Sequence, residues 1–238
     1  MRNLIGFEIR KIKHTFLSLL ILVSLAGPIA MIAVMYAIND EKTFLEVVIS
    51  NSVFVQLIPF AVTVIFGCFI VAREYKDNMM LYLKITPQSQ VKIVLSKFIV
   101  IILELSLTQI FSFFMLFIIN RVIDGYDTDL LLKYIKAGLI SAGALSCLVP
   151  LMIFISLIRR SFSSAALIFL MIFMLTFPYI FSENGALFPH LLPMVLVAKF
   201  FGNPVYDKVS YLNAVFILIG VAAIFLFLVV RISKKKDK

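Results

Sequence analysis

The chain has 238 residues, 62% of them hydrophobic and 15% charged, with a formal net charge of +9. Soluble domains carry about a quarter charged residues, and the mean hydropathy here is +1.08. The composition excludes an ordinary soluble domain and makes the bilayer the expected solvent.

Residues 1–14 read as an amphipathic helix lying in the membrane interface. Leu4, Ile5, Phe7, Ile9 and Ile12 fall broadly on one face, and Arg2, Asn3, Arg10, Lys13 and His14 on the other. Such a helix buries one side at headgroup level and snorkels its cations. Glu8 and Lys11 spoil the pattern, because they sit close to the apolar face. The plainer alternative is a basic flank that only orients the first span.

Six stretches are long enough to cross: Thr15–Ile38, Val53–Ala72, Phe98–Ile119, Ile135–Leu157, Phe162–Phe181 and Leu212–Val230. Each approaches or exceeds the ~20 apolar residues that a spanning helix needs. Backbone groups in lipid must be satisfied within the segment, so helices are expected. The first stretch is longer than a signal-peptide core and is expected to stay as an anchor. Pro28, Pro59, Pro150 and Pro178 punctuate the spans and are expected to kink them. Cys68 and Cys147 both fall within spans and read as small packing residues.

The basic residues set an orientation. Arg2, Arg10, Lys11 and Lys13, the second loop, Arg159 and Arg160, and the tail together place sixteen basic residues on one side against six on the other. The positive-inside rule then puts both termini and the second loop in the cytoplasm. The net charge is thus a topology signature and does not indicate nucleic acid. The loops Asn39–Ser52 and Asn120–Tyr134 leave no room for an outer folded domain. Residues 186–201 are apolar, carry Pro189 and Pro193, and are too short to cross. They read as a re-entrant segment dipping back before the last span. His190 within them is a candidate pH sensor, or more simply an interfacial loop residue.

Catalytic raw material is sparse. No phosphate-binding loop, His-Glu-x-x-His pair or Gly-x-Ser-x-Gly elbow occurs, and His14 and His190 are the only histidines. The expectation is a transport subunit, not an enzyme, with no metal and no cofactor of its own. One ionisable residue lies inside a predicted span, Glu104, followed by Thr108, Gln109 and Ser112. Glu104, Thr108 and Ser112 are spaced to share one helix face. A carboxylate at such a depth is a functional hypothesis by default. The candidate role is in the transport path or its gating, against plain inter-helix hydrogen bonding.

The second loop, residues 73–97, is the longest on the cytoplasmic side. It opens with Arg73-Glu74-Tyr75-Lys76-Asp77 and continues through Thr86-Pro87 to Lys92 and Ser96-Lys97. Thr86 is expected to cap a helix with Pro87 at its first position, running through Lys97 into the third span. A short surface helix between two spans is well placed to receive a push.

This loop resembles that of the permease subunits of ABC-2 type exporters. The likeness lies in the Glu-aromatic-basic start directly after the second span, the proline step, and the basic residue ahead of the third span. Asn78 stands where glycine is usual, and Gln88-Ser89-Gln90 lacks the usual arginine. The resemblance implies a single all-α polytopic permease domain over 1–238, with six transmembrane helices, an N-terminal amphipathic helix and a type V exporter-like arrangement. It implies a bacterial cell-membrane protein, multi-pass, working as a homo- or heterodimer of permeases. A separate cytoplasmic ABC ATPase would bind ATP and magnesium. Arg73, Glu74, Tyr75, Lys76, Asp77, Thr86, Pro87 and Lys97 would couple to that ATPase. Small permeases of this kind resemble the bacitracin-resistance and lantibiotic-immunity branch, which implies export of a membrane-active peptide or another amphipathic compound. Two other readings stay open: a proton-coupled secondary transporter using Glu104, and a non-transporting membrane scaffold.

Overall fold

The structure, a computed structural model, describes residues 2–13, 15–39, 42–76, 89–125 and 128–236. Among these there is no strand. Helix α1 (Arg2–Lys13) leads into α2 (Leu17–Ile38), a short α3 (Phe44–Ser50) and α4 (Ser52–Lys76). Then come α5 (Gln90–Asp124), α6 (Thr128–Arg159), α7 (Phe162–Thr176), α8 (Leu192–Phe201) and α9 (Tyr211–Lys236). Six of the helical segments, all but α1, α3 and α8, are long and apolar enough to cross a membrane.

Helix α6 is the hub of the bundle. It packs against α5, α9, α4, α8 and α7. Small residues explain how α5 comes so close: a Cβ placed on Gly138 would lie 3.1 Å from Ile110 Cα and 3.3 Å from Gln109 O. Ala137, Ser141 and Ala142 are also buried and continue this small-residue surface on α6. Between membrane helices such a surface replaces the hydrophobic driving force with close backbone packing. Gly27 does the same for α2 against α4, where a Cβ would meet Ile58 Cγ2 at 2.8 Å.

The prolines divide into two kinds. Pro28, Pro59 and Pro150 lie inside α2, α4 and α7's neighbour α6 without ending them. Pro178 instead falls in a 3₁₀ turn, Phe177–Phe181, that follows α7. Helix α3 sits in what the sequence presents as a plain loop. Thr43 and Glu46 form a capping box at its start: the Thr43 hydroxyl accepts from Glu46 N, and Thr43 N donates to the Glu46 carboxylate.

The apolar stretch before the last span, 186–201, holds the end of a 3₁₀ turn, Glu183–Leu187, and α8. Eight of the ten α8 residues are buried. The helix packs between α4 and α6 and forms part of the core. It stops at Gly202, whose φ of 91° is the left-handed conformation that glycine adopts without a Cβ clash. Near this end Phe113, Phe117, Tyr134 and Phe201 form a cluster of ring contacts, with Phe113 and Phe201 stacked at 6.0 Å between centroids. Asn120 Nδ2 donates to the buried Tyr134 hydroxyl at 3.0 Å.

Two local expectations are corrected. The helix that carries Val91 to Lys97 begins at Gln90, capped by Ser89, whose hydroxyl accepts from Lys92 N. Thr86 is therefore not its cap. Ser89 holds the extended backbone that a cap requires, with φ −65° and ψ 143°. The second correction concerns α1. Phe7 and Ile9 are half-exposed, while Glu8 and Ile12 are buried. The face turned to the bundle is the one with the two charges that spoiled the amphipathic pattern.

Candidate functional site

Four charged residues from three helices meet at one end of the bundle. Glu74 lies in the last turn of α4, just past its apolar run. Lys97 lies two turns into α5. Glu8 and Lys11, three apart on α1, share the face that α1 lays across both. Lys97 Nζ is 2.5 Å from Glu74 Oε1 and 3.0 Å from Glu8 Oε2. Lys11 Nζ is 3.2 Å from Glu74 Oε1 and 3.1 Å from Glu8 Oε1. The contacts close a ring in which positive and negative groups alternate, and each ion has two opposite neighbours.

The ring is buried. The Lys97 side chain is 2% exposed, both glutamates 5%, and Lys11 17%. Taking ions out of water costs several kcal/mol each, and mutual attraction repays this only when geometry is good and every partner is present. The two carboxylates and two ammoniums balance one another within the ring, and Arg73 lines the same small cavity. Removal of any one member leaves an excess charge in a dry place. The ring thus ties the start of α5, the end of α4 and α1 into one unit.

The remaining loop residues fall elsewhere. Arg73 and Tyr75 line a cavity beside the ring, and the Arg160 guanidinium lies over the Tyr75 ring at 5.9 Å. Lys76 ends α4. Asp77, Thr86 and Pro87 lie outside the described residues. Of the residues expected to couple, Glu74 and Lys97 are brought together in this ring.

Deeper in the bundle, Glu104, Thr108, Gln109 and Ser112 are all buried. The Thr108 hydroxyl donates back to Glu104 O at 2.9 Å, within its own helix. Neither Glu104 carboxylate oxygen has a hydrogen-bond partner among the described residues. Gln109 belongs to a different constellation. The Ser141 hydroxyl of α6 lies 2.9 Å from Gln109 Oε1 and 2.8 Å from Oε1 of Gln56 on α4. One hydroxyl hydrogen cannot serve two acceptors, so one glutamine must present its amide N–H to the serine oxygen. The triad joins three spans through a single hydroxyl.

His190 is half-buried, with Nε2 2.7 Å from Thr176 Oγ1. The Thr176 hydroxyl also lies 2.8 Å from Ile172 O, and the imidazole tautomer sets which group donates in the His190 contact. Burial pushes the imidazole pKa down to about 4. Among the described residues no group of three or more His, Cys, Asp or Glu could hold a metal ion.

The model of the ABC-2 family transporter protein matches residues 4–178, from α1 through the turn after α7. The chain belongs to the ABC-2 transporter family. It is accordingly a multi-pass, all-helical permease subunit of an ABC transporter, the membrane component that works with an ABC ATPase and is not itself catalytic. No curated protein matches the permease in sequence. The matched region contains the whole ion ring and the Gln56–Ser141–Gln109 triad.

Sequence reasoning missed Glu8, Lys11, Gln56 and Ser141. Glu8 and Lys11 did leave a signal, as misfits on an otherwise apolar face. Gln56 and Ser141 left a weaker one, as isolated polar residues within apolar runs.

Proposed function

We propose that this permease is the membrane half of an ATP-driven exporter that moves an amphipathic compound out of a bacterial cell, and that the ion ring carries the drive into the spans. The reading places the ring end of the bundle in the cytoplasm, where the basic residues of α1, Arg159, Arg160 and the end of α9 gather. The ATPase would dock on the segment between α4 and α5, which includes Asp77, Thr86 and Pro87. Two permeases, identical or not, would pair around the path.

The observation that carries this reading is the position of the ring. Glu74 and Lys97 stand at the two ends of that segment and bind each other and α1. A push on the segment would therefore move α4, α5 and α1 together. Without the ring it would be absorbed by two independent helix ends. Ligand-driven switching requires an element whose two arrangements the ATPase can bias, and the three helix segments tied together by the ring take that part.

The test is reconstitution with the ATPase partner in vesicles, with ATP hydrolysis and cargo movement measured side by side. Glu74→Gln is expected to keep hydrolysis while lowering cargo moved per ATP. An unchanged ratio would remove the ring from the coupling path. A proton-coupled reading is favoured by one observation, the Glu104 carboxylate that has no hydrogen-bond partner among the described residues. It requires that a pH gradient alone drive transport and that Glu104→Gln abolish it.

A further inference from the structure

Several buried hydroxyls in this bundle close on a carbonyl of their own helix. Thr63 donates to Pro59 O, Ser96 to Ile93 O, Ser156 to Met152 O and Ser233 to Val229 O. Ser141 does otherwise. Its hydroxyl faces two other spans, 2.8 Å from Gln56 Oε1 of α4 and 2.9 Å from Gln109 Oε1 of α5. All three side chains are fully buried. The junction lies deep in the bundle: Gln109 is about 18 Å along α5 from Lys97, and Gln56 about 27 Å along α4 from Glu74. The close approach of α5 at Gly138, one turn before Ser141, brings Gln109 there.

The hydrogen bonds at this junction can be counted. A hydroxyl has one hydrogen and a primary amide has two. The Ser141 hydrogen goes to one carbonyl oxygen, and the other glutamine turns its amide to donate to the serine oxygen. Whichever glutamine turns, the first keeps an N–H pair outside the serine contact and the second keeps a carbonyl oxygen. Neither Gln56 Nε2 nor Gln109 Nε2 has a hydrogen-bond partner among the described residues. Polar groups left unmet in a low-dielectric interior are costly. A leftover donor and a leftover acceptor on two helices that meet at one atom are what a bridging water needs. A cation would take both carbonyl oxygens and leave both N–H pairs unmet. An anion would meet the N–H groups and be repelled by the leftover carbonyl.

We propose that the Gln56–Ser141–Gln109 junction binds an internal water molecule within the membrane span, which accepts from the amide of one glutamine and donates to the carbonyl oxygen of the other. The second lone pair of Ser141 Oγ is open to its remaining hydrogen. The water makes α4, α5 and α6 one hydrogen-bonded joint, whose contacts can re-form through a mobile molecule when the helices shift. A direct amide–amide bond would satisfy the same two leftover groups and is the dry alternative. The site rests on the packing of three spans and not on ATP-driven export, so it stands or falls independently of the coupling proposal.

The test is nuclear magnetic resonance of the full chain in neutral detergent micelles, with nitrogen-15 in the glutamine side chains alone. Gln56, Gln88, Gln90 and Gln109 are the only glutamines in the sequence, so the spectrum is sparse. Gln56→Met and Gln109→Met assign the two at the junction. Rotating-frame cross-relaxation is read between the side-chain amides and water, since its sign separates proximity from proton exchange. The glutamine that donates to the water should show a strong peak to the water resonance. Replacing the other glutamine by Met should remove most of that peak, because the bridge loses one of its supports. Ser141→Ala removes the one hydroxyl proton that could relay the signal, and the peak should persist there. No water peak at either glutamine of the wild type would overturn the proposal without recourse to a variant. Peaks from one glutamine amide to the other in its place would show the dry pair and overturn it too. So would a water peak that vanishes in Ser141→Ala, which would assign it to the hydroxyl. A peak that keeps its full intensity after the other glutamine is replaced would assign the water to one side chain and overturn the bridge.

Discussion

Replacing Lys97 by Met keeps an unbranched, flexible side chain one atom shorter and removes one charge from the ring. Lys97 bridges Glu8 and Glu74 at 3.0 and 2.5 Å and is almost fully buried. The variant leaves two carboxylates facing a single ammonium, Lys11. Breaking a buried ion pair from one side costs about 3–5 kcal/mol, chiefly through the uncompensated charge. At roughly 2–4 °C per kcal/mol for a chain of this size, Tm should fall by roughly 10 °C. The chain supplies its own probe, because Cys68 is a buried free thiol and Cys147 a partly buried one. A maleimide dye that fluoresces on thiol addition therefore reports unfolding in detergent. Glu74→Gln should be costly for the converse reason. The double variant Glu74→Gln/Lys97→Met removes one charge of each sign and leaves the Glu8–Lys11 pair intact at 3.1 Å. Its loss should be smaller than the sum of the two single losses by about 2 kcal/mol, within the range seen for coupled neighbours. The single losses should also persist in high salt, since buried pairs are little screened. Additive losses, or a Lys97→Met shift of only a degree or two, would refute the ring as a coupled unit.

Ser141→Ala takes away the hydroxyl shared by Gln56 and Gln109 and should cost on the order of 1 kcal/mol, the usual range for hydrogen bonds between membrane helices, read by the same dye. Gly138→Val should cost more, about 1–3 kcal/mol, because its side chain would meet the backbone of Ile110, whereas Gly143→Ala, with open space around it, should be nearly neutral. His190 binds its proton only near pH 4 when folded and near 6.5 when unfolded, so the unfolded state holds more protons in between. Stability should therefore fall as pH drops from about 6.5 to 4, by at most about 1.4 kcal/mol per pH unit, and His190→Asn should flatten that part of a Tm–pH curve.

The spans were legible because about twenty apolar residues in a row admit few other structures. Their exact ends were less so, since helices such as α5 run on past the apolar window into polar residues that packing holds in place. The inward face of α1 could not be read from periodicity. Any hydrophobicity pattern assigns Glu8 and Lys11 to water, and only the third and fourth members, Glu74 and Lys97, show why they turn inward. Those partners are 63 or more residues away in sequence. Helix α3 was available to sequence reasoning and went unread: Thr43-Phe44-Leu45-Glu46 is a capping-box pattern. Thr86, ahead of Pro87, is the cap that the sequence suggests for α5, and Ser89 is passed over, a second hydroxyl residue three positions on that composition alone does not distinguish from it. Gln109 was noticed for its neighbour Glu104, yet its partner is Ser141 on the next helix, a pairing set by the close approach at Gly138.

Helix α5 is 35 residues long and contains neither proline nor glycine, unlike α2, α4 and α6. At 1.5 Å per residue it is a bar of about 52 Å, well beyond the hydrocarbon thickness of a bilayer. It has no joint at which to bend. A bar without joints turns an angle at one end into a displacement at the other. A tilt of about 5° about its middle would carry each end through roughly 2 Å, in opposite directions. The ring at Lys97 grips one end, and Asn120 with its Tyr134 hydrogen bond marks the other. α5 has the proportions of a lever, with its fulcrum near the crossing at Gly138.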